Sequence, residues 1–451
     1  MKNFLTSLSD RLFCRIFLYC ILVGIVFTGC RKSEAPFREE FKPFSFSADV
    51  IDKWMTLEIR LFKDATGIAN GAFARPFAYS GICAYESIDP GFASWKDKYN
   101  GLVGLPETIK SNKYYWPESV NASLAEFNRS FFTSANSNPA DLAAIDSLEN
   151  AIRGTFTMVD ADMLNNATGF GKSIADAVFA WSQTDGFNVN NALPYTPPVG
   201  PGLWEPTPPA FAKAVGAFWG NDRPILAGSG DNTLPPPPIS YSEVPSSPFY
   251  QMVNDLYTAS KNLTTDQKNW AIFWRDVPGV TTPGHWISIV QQVIRQTHSH
   301  LDKAALAFAL VGICMNEGSV NVMKTKYIYN LLRPVTYIRK VIGDAGWLSI
   351  VPTPAFPEYT SAHAVVSASA AEGLTAIYGD IGSLTDHTYD YLGFPARTFD
   401  TFRDIAVDAG DSRFYGGIHY QPSINMGLQQ GRAIGKNILN ILIQSPEIEK
   451  K

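Results

Sequence analysis

Lys326, Arg333, His363, Arg413 and His419 are the side chains of this sequence whose types and surroundings could do chemistry together. Lys326 and Arg333 are seven positions apart, close to two helical turns, so they would project from nearly the same face. Pro334 ends that helix and biases Arg333 toward extended backbone, and two cations could then converge on one anion. Taken alone, such a pair also fits a solvated helix face. Thr360-Ser361-Ala362-His363 follows Pro354 and Pro357 and precedes an apolar run, Ala364 to Ala371. A helix is therefore expected to begin near Ser361, with its hydroxyl and the first-turn amides facing whatever sits there. Such an end binds oxyanions readily, and His363 in that turn could give or take a proton near neutral pH. A capped helix with a packing histidine fits the same residues. In Asp411-Ser412-Arg413-Phe414-Tyr415-Gly416-Gly417-Ile418-His419-Tyr420, an unbroken helix would put Arg413 and His419 on different faces. Gly416-Gly417 interrupts the helix and lets both turn to one point, and Pro422 suits the start of the next helix, Ser423 to Leu442.

The elements that must position these groups read as helices. From Ala48 to about Gln183 apolar residues recur at three- and four-residue intervals: Val50, Ile51, Trp54, Met55 and Ile59; Leu142, Ile145, Leu148 and Ile152; Ile174, Val178 and Trp181. Leu193 to Pro248 is crowded with proline, which fixes φ and lacks an amide donor, so an extended crossover is expected there. The helical pattern resumes at Phe249. Thr264 with Gln267 reads as a capping box, and Trp286 to Ile294 and Leu301 to Met315 read as further helices. The expected architecture is all-α, two helical bundles joined by a Pro-rich crossover. The divisions are a leader at 1–30, a helical domain at 31–192, the connection at 193–248 and a catalytic helical domain at 249–451.

At 451 residues, 45% hydrophobic and 18% charged, the chain can bury a large core. A formal charge of -5 offers no general attraction to nucleic acid or anionic lipid, so an anion site must be a local cluster. Lys2, Arg11 and Arg15 flank the apolar run Ile16 to Phe27, too short to span a bilayer comfortably. The run ends in Phe27-Thr28-Gly29-Cys30, which resembles the lipobox of bacterial lipoproteins. That resemblance implies export, lipidation of Cys30, and an outer-membrane location facing the periplasm or the cell surface. Cys83 and Cys314 sit in apolar stretches as small buried hydrophobes, with a bridge between them undecided.

Lys-x6-Arg-Pro, Ser-x-His and Ser-Arg-x5-His, in that order, resemble the signature of the vanadium haloperoxidases and the type 2 phosphatidic acid phosphatase superfamily, which includes bacterial acid phosphatases. The flanks Gly202-Leu203-Trp204-Glu205-Pro206, Pro283-Gly284-His285-Trp286 and Phe356-Pro357-Glu358-Tyr359 are similar to the soluble bacterial haloperoxidase-like branch. The resemblance implies a vanadate whose oxygens are held by Lys326, Arg333, Ser361, the Ala362 amide and Arg413. It implies His419 as the axial ligand of vanadium, His363 as the acid–base residue, and Lys326 polarising the bound peroxide while a halide attacks. In the phosphatase version the pocket holds phosphate, His419 is the nucleophile, and His363 protonates the leaving alcohol of a phosphate ester. Two departures stand out. The family usually has glycine at Ala362, and it tends to place at Ser423 an aspartate that orients the ligand histidine. A non-catalytic oxyanion-binding lipoprotein is the third reading. His285 is expected to pack or cap its helix and to line the pocket entrance, His387 to lie in a polar loop, and His298 and His300 to be an ordinary pair.

Overall fold

The computed structural model describes residues 42–88, 98–102, 104–106, 114–276 and 282–443, so the leader expected at 1–30, with Cys30, lies outside the described part. In the first half the apolar periodicity produces α1 (Asp49–Asp64), α2 (Ala74–Glu86), α3 (Trp116–Phe131), α4 (Pro139–Arg153), α5 (Ala161–Ser182) and the short α6 (Phe187–Ala192). Val50, Ile51, Trp54 and Met55 are buried together, as are Ile145, Ile152, Ile174 and Val178. Between Ala192 and Pro248 the chain forms no α-helix, only a 3-10 turn at Trp219–Asn221.

The second half contains α7 (Pro248–Lys261), α8 (Thr265–Phe273), α9 (Thr282–Gln296), α10 (Leu301–Tyr329), α11 (Pro334–Tyr337), α12 (Ala362–Tyr378), α13 (Phe402–Tyr415) and α14 (Gln421–Ile443). The capping box at the start of α8 forms as read, with Thr264 and Gln267 each satisfying the other's amide. The fold is all-α. Its small exception is an antiparallel ribbon, β1 (Leu384–Asp386) with β2 (Arg397–Phe399). Here the polar stretch that reads as a loop around His387 is in part a strand, because Asp386 is drawn inward to pair with His285.

α10 is the axle of the described part. It is long and apolar enough to cross a membrane, yet 78% of its most apolar window is buried inside the protein. Helix α2 packs on one of its sides at backbone distance: a β-carbon on Gly312 would come 2.7 Å from the Ala78 Cα. Helix α12 packs on another, and α14 lies against α12 through Gly427 and Gly431, where a β-carbon would press on the Ser361 carbonyl and collide with that of Val365. These close approaches fix the start of α12 relative to the segment that precedes α14. Cys83 and Cys314 are free and buried, which leaves no bridge between them.

A buried carboxyl ties the proline-rich crossover to this axle. Glu317 accepts from the Ile225 amide at 2.6 Å and from the Ser229 hydroxyl, and burial raises its pKa to about 7. Replacing it with leucine strands the Ile225 N–H, at a cost of about 1–3 kcal/mol. Replacing it with glutamine keeps an acceptor and a donor in place. Thermal unfolding at neutral pH is expected to show a clear loss for Glu317→Leu and a much smaller one for Glu317→Gln; equal losses would mean that the carboxyl does not anchor the crossover.

Candidate functional site

Lys326 lies in the last turn of α10, but the helix does not continue to Arg333. It stops at Tyr329 because Asn330 turns left-handed, φ 47°, and returns its amide to the Lys326 carbonyl. Leu331 then pairs with Leu203, and Arg333 is extended, φ -77° and ψ 153°, immediately before Pro334 opens α11. The two cations therefore meet by a turn in the chain rather than by sharing a helix face. Both stand over the Phe356 ring, each 5.1 Å from its centroid. Both are fully buried.

Their partners separate their tasks. Lys326 Nζ donates to the carbonyls of Pro357 at 3.0 Å, Glu358 at 2.9 Å and Thr360 at 2.5 Å. Three acceptors match the three donors of an ammonium group, so Lys326 is spent on shaping the 357–360 loop. Burial and Arg333 push its pKa down, against the pull of Glu358. Arg333 donates Nε to the Phe356 carbonyl and Nη1 to the Ile418 carbonyl and to His419 Nε2, while its buried Nη2 has no partner.

The loop that Lys326 shapes leads directly into α12. Ser361 is the N-cap, yet its side chain makes no capping bond, and its buried Oγ has no partner. Ala362 takes the first helical position, where φ is negative, so its β-carbon introduces no backbone strain. His363 follows. Its Nε2 donates to the Trp274 carbonyl at 2.8 Å, which fixes the neutral ring with Nδ1 as the acceptor, and Asp276 Oδ1 lies 3.7 Å from Nε2.

On the third segment α13 ends at Tyr415, and Gly417, φ 79°, closes it in a Schellman motif: its amide reaches the Phe414 carbonyl and that of Ile418 reaches Arg413. The glycine pair does break the helix and turn His419 back. Arg413 Nη2 is held by the Ala271 carbonyl at 2.7 Å and Nε by Ser412 Oγ. His419 sits between two charged groups. Arg333 Nη1 can only donate, so Nε2 carries the lone pair and Nδ1–H donates to Glu358 Oε1 at 2.9 Å.

All five chemical side chains thus share one neighbourhood. The pKa of His419 is held well below its ordinary value by burial first, and then by Arg333, Lys326, His363 and Arg413. His363 is depressed likewise by burial and then Arg413. Arg333 and Arg413 fall to about 10 through burial and remain cationic at neutral pH. A cavity of about 300 Å³ opens over Ala362, His363, Arg413 and His419, with a largely apolar wall that includes Val215, Trp219, Met323 and Phe356 and is interrupted by Arg275, Asp276 and Thr282. Dry walls around fixed cations are what a multiply charged oxyanion requires.

Three partners escape a reading of the motifs. Glu358 replaces the aspartate missing at Ser423, whose hydroxyl instead donates to Glu358 Oε2 at 2.7 Å. Trp274 and Asp276, after α8, contact His363, and nothing near them in sequence signals it. His285 is fully buried, bonded to Asp386 Oδ2 at 2.5 Å and stacked 4.2 Å from Trp274; it backs the residue that holds His363 and is not on the cavity wall. His387 is exposed beside Asp390, and His298 and His300 are exposed. Among the described residues no His, Cys, Asp and Glu group could hold a metal cation.

Residues 306–445 match the family described as the VCPO second helical-bundle domain. A crystal structure described as the first bacterial vanadium-dependent iodoperoxidase superposes with a TM-score of 0.79 and 28% identity, over 89% of this chain and 97% of that one. A holo-type bacterial vanadium-dependent chloroperoxidase superposes at 0.66 with 15% identity, over 83% of this chain and 92% of that one, a likeness of fold. No curated protein matches the chain by sequence.

Proposed function

We propose that this site holds a vanadate and oxidises a halide with hydrogen peroxide, a reading supported by the match of residues 306–445 to the VCPO second helical-bundle domain and by the likeness to a vanadium-dependent iodoperoxidase. The observation that carries this reading is a pair of buried, unpartnered donors, Ser361 Oγ and Arg333 Nη2. Leaving such donors unsatisfied costs about 1–3 kcal/mol each or more, and an anion within reach of both would remove that cost. Around it Arg333, Ser361, the Ala362 amide and Arg413 would hold the oxygens, with His419 Nε2 facing the central atom. Bound vanadate would supply the Lewis-acidic centre at which peroxide becomes able to oxidise halide.

The chain's own groups do the rest. Arg333 and Arg413, both buried, would neutralise the charge of the oxygens. His363, neutral and fixed by Trp274, leaves Nδ1 free to take a proton from an incoming peroxide and would return it to a departing hydroxide, which leaves as water. Lys326 adds charge from beneath the loop and keeps Ser361 in place. The likeness to an iodoperoxidase favours iodide as the first halide to try.

Phosphate ester hydrolysis is the second reading. It is favoured by the apolar cavity, which could seat the organic part of an ester. There His419 Nε2 would attack phosphorus and His363 would protonate the leaving alcohol. The third is an oxyanion-binding protein without turnover. The leader at 1–30 belongs to the proposal as well: a lipid on Cys30 would be the sole membrane attachment of an exported protein.

One experiment separates the readings. The full-length chain in detergent, stripped of bound anion, is assayed for iodide and bromide oxidation with and without vanadate, and for phosphate release from a generic monoester. Vanadate-dependent oxidation is expected. Phosphate release alone would replace this reading with the second, and tight phosphate binding without either reaction would replace it with the third.

A further inference from the structure

We propose that Glu358 is the positioning residue that commits the Nε2 of His419 to bond formation, and that Ser423 serves Glu358 rather than the histidine. The inference rests on the oxyanion site proposed above and deepens it. Glu358 is fully buried and anchored along its whole length. Its amide donates to the Leu331 carbonyl at 2.9 Å and its carbonyl accepts from Lys326. Its Oε1 accepts from His419 Nδ1 at 2.9 Å and from the Tyr420 amide at 3.0 Å, and Oε2 accepts from Ser423 at 2.7 Å. Burial raises its pKa to about 7, and the three donors aimed at its two oxygens, with Lys326 and Arg333 nearby, work against that rise and favour the ionised carboxylate.

The arrangement matters most when the site is filled. Arg333 Nη1 now marks the lone pair on Nε2, but an anion competes for the same guanidinium. Glu358 is then the contact that keeps the proton on Nδ1 and the lone pair on Nε2, and its charge raises the basicity of that lone pair. The carboxylate comes from a residue 61 positions before the histidine. The device is thus rebuilt from another segment, with Ser423 holding its second oxygen.

The sign of the effect makes the proposal testable. Glu358→Gln removes a negative charge beside an anion site, so simple electrostatics predicts that every oxyanion binds equally or more tightly. Vanadate, unlike phosphate, accepts a histidine lone pair at equilibrium. If Glu358 positions and polarises His419, vanadate should bind roughly 10–100-fold more weakly to Glu358→Gln, while phosphate binds unchanged or more tightly. Titration calorimetry of both anions on wild type, Glu358→Gln, His419→Ala and the double variant reads this directly. In the His419→Ala background the vanadate-specific loss should vanish.

Parallel shifts of the two anions in Glu358→Gln, or an undiminished vanadate loss without His419, would overturn the positioning role. A wild-type protein that binds neither anion would overturn the oxyanion site itself. Should the glutamine variant fail to fold, Glu358→Asp keeps the charge but shortens its reach to Nδ1, and the same vanadate-selective loss is expected; its absence counts against the proposal.

Discussion

Replacing His419 with alanine is expected to lower vanadate-dependent halide oxidation by about three orders of magnitude or more, the usual scale for removing a group that bonds to the reacting centre. Phosphate should still bind, because Arg333, Ser361 and Arg413 remain. The variant will also be less stable: Glu358 loses a buried hydrogen-bond partner, and stranding a buried charge in this way costs about 3–5 kcal/mol. Activity should therefore be measured well below the lowered Tm, with circular dichroism confirming the fold. A folded variant within tenfold of wild type would place the chemistry elsewhere.

The second large effect is expected at His363, where phenylalanine keeps the ring volume and removes both nitrogens. kcat should fall by about 10²–10⁴, the range for a lost acid–base group, with a much smaller change in vanadate affinity. The variant also carries a stability signature. In the folded protein burial and then Arg413 hold the imidazole pKa well below its ordinary value, so the ring stays neutral. In the unfolded chain it takes a proton as the pH falls through about 6.5. The folded state then binds fewer protons than the unfolded one. The stability tied to neutral His363 is complete above that pH and is lost progressively below it. His363→Phe has nothing to lose there, so the Tm gap between wild type and variant should narrow from pH 7 to pH 5. A constant or widening gap would show that His363 is not held neutral.

Much of this was legible in the chain because the signals are local. The three-and-four spacing of Val50, Ile51, Trp54 and Met55 marks a buried helix face, and Gly416-Gly417 marks the break that returns His419. Ser361 as a helix N-cap follows from the prolines before it and the apolar run after it. What stayed hidden are pairings that tertiary packing alone creates. The spacing of Lys326 and Arg333 suggests a common helix face, but the left-handed Asn330 ends the helix between them, and they meet by a turn. The three carbonyls of the 357–360 loop that accept from Lys326 are likewise invisible in its spacing from Arg333. The resembled family's pattern puts a carboxylate four residues downstream of His419, whereas here it stands 61 upstream. Likewise Trp274 reaches His363 across 89 positions and Asp386 reaches His285 across 101, distances over which no periodicity carries information.

The lysine that nails down the 357–360 loop has a consequence for selectivity among guests. A loop held by three hydrogen bonds from Lys326 to its backbone carbonyls has its shape without any occupant. On the proposed reading, phosphate and vanadate share an outline and would contend for the site, so in phosphate-rich surroundings the loaded fraction would be set by the ratio of the two concentrations to their affinities. Discrimination would then come from the position that senses chemistry rather than shape, the nitrogen of His419.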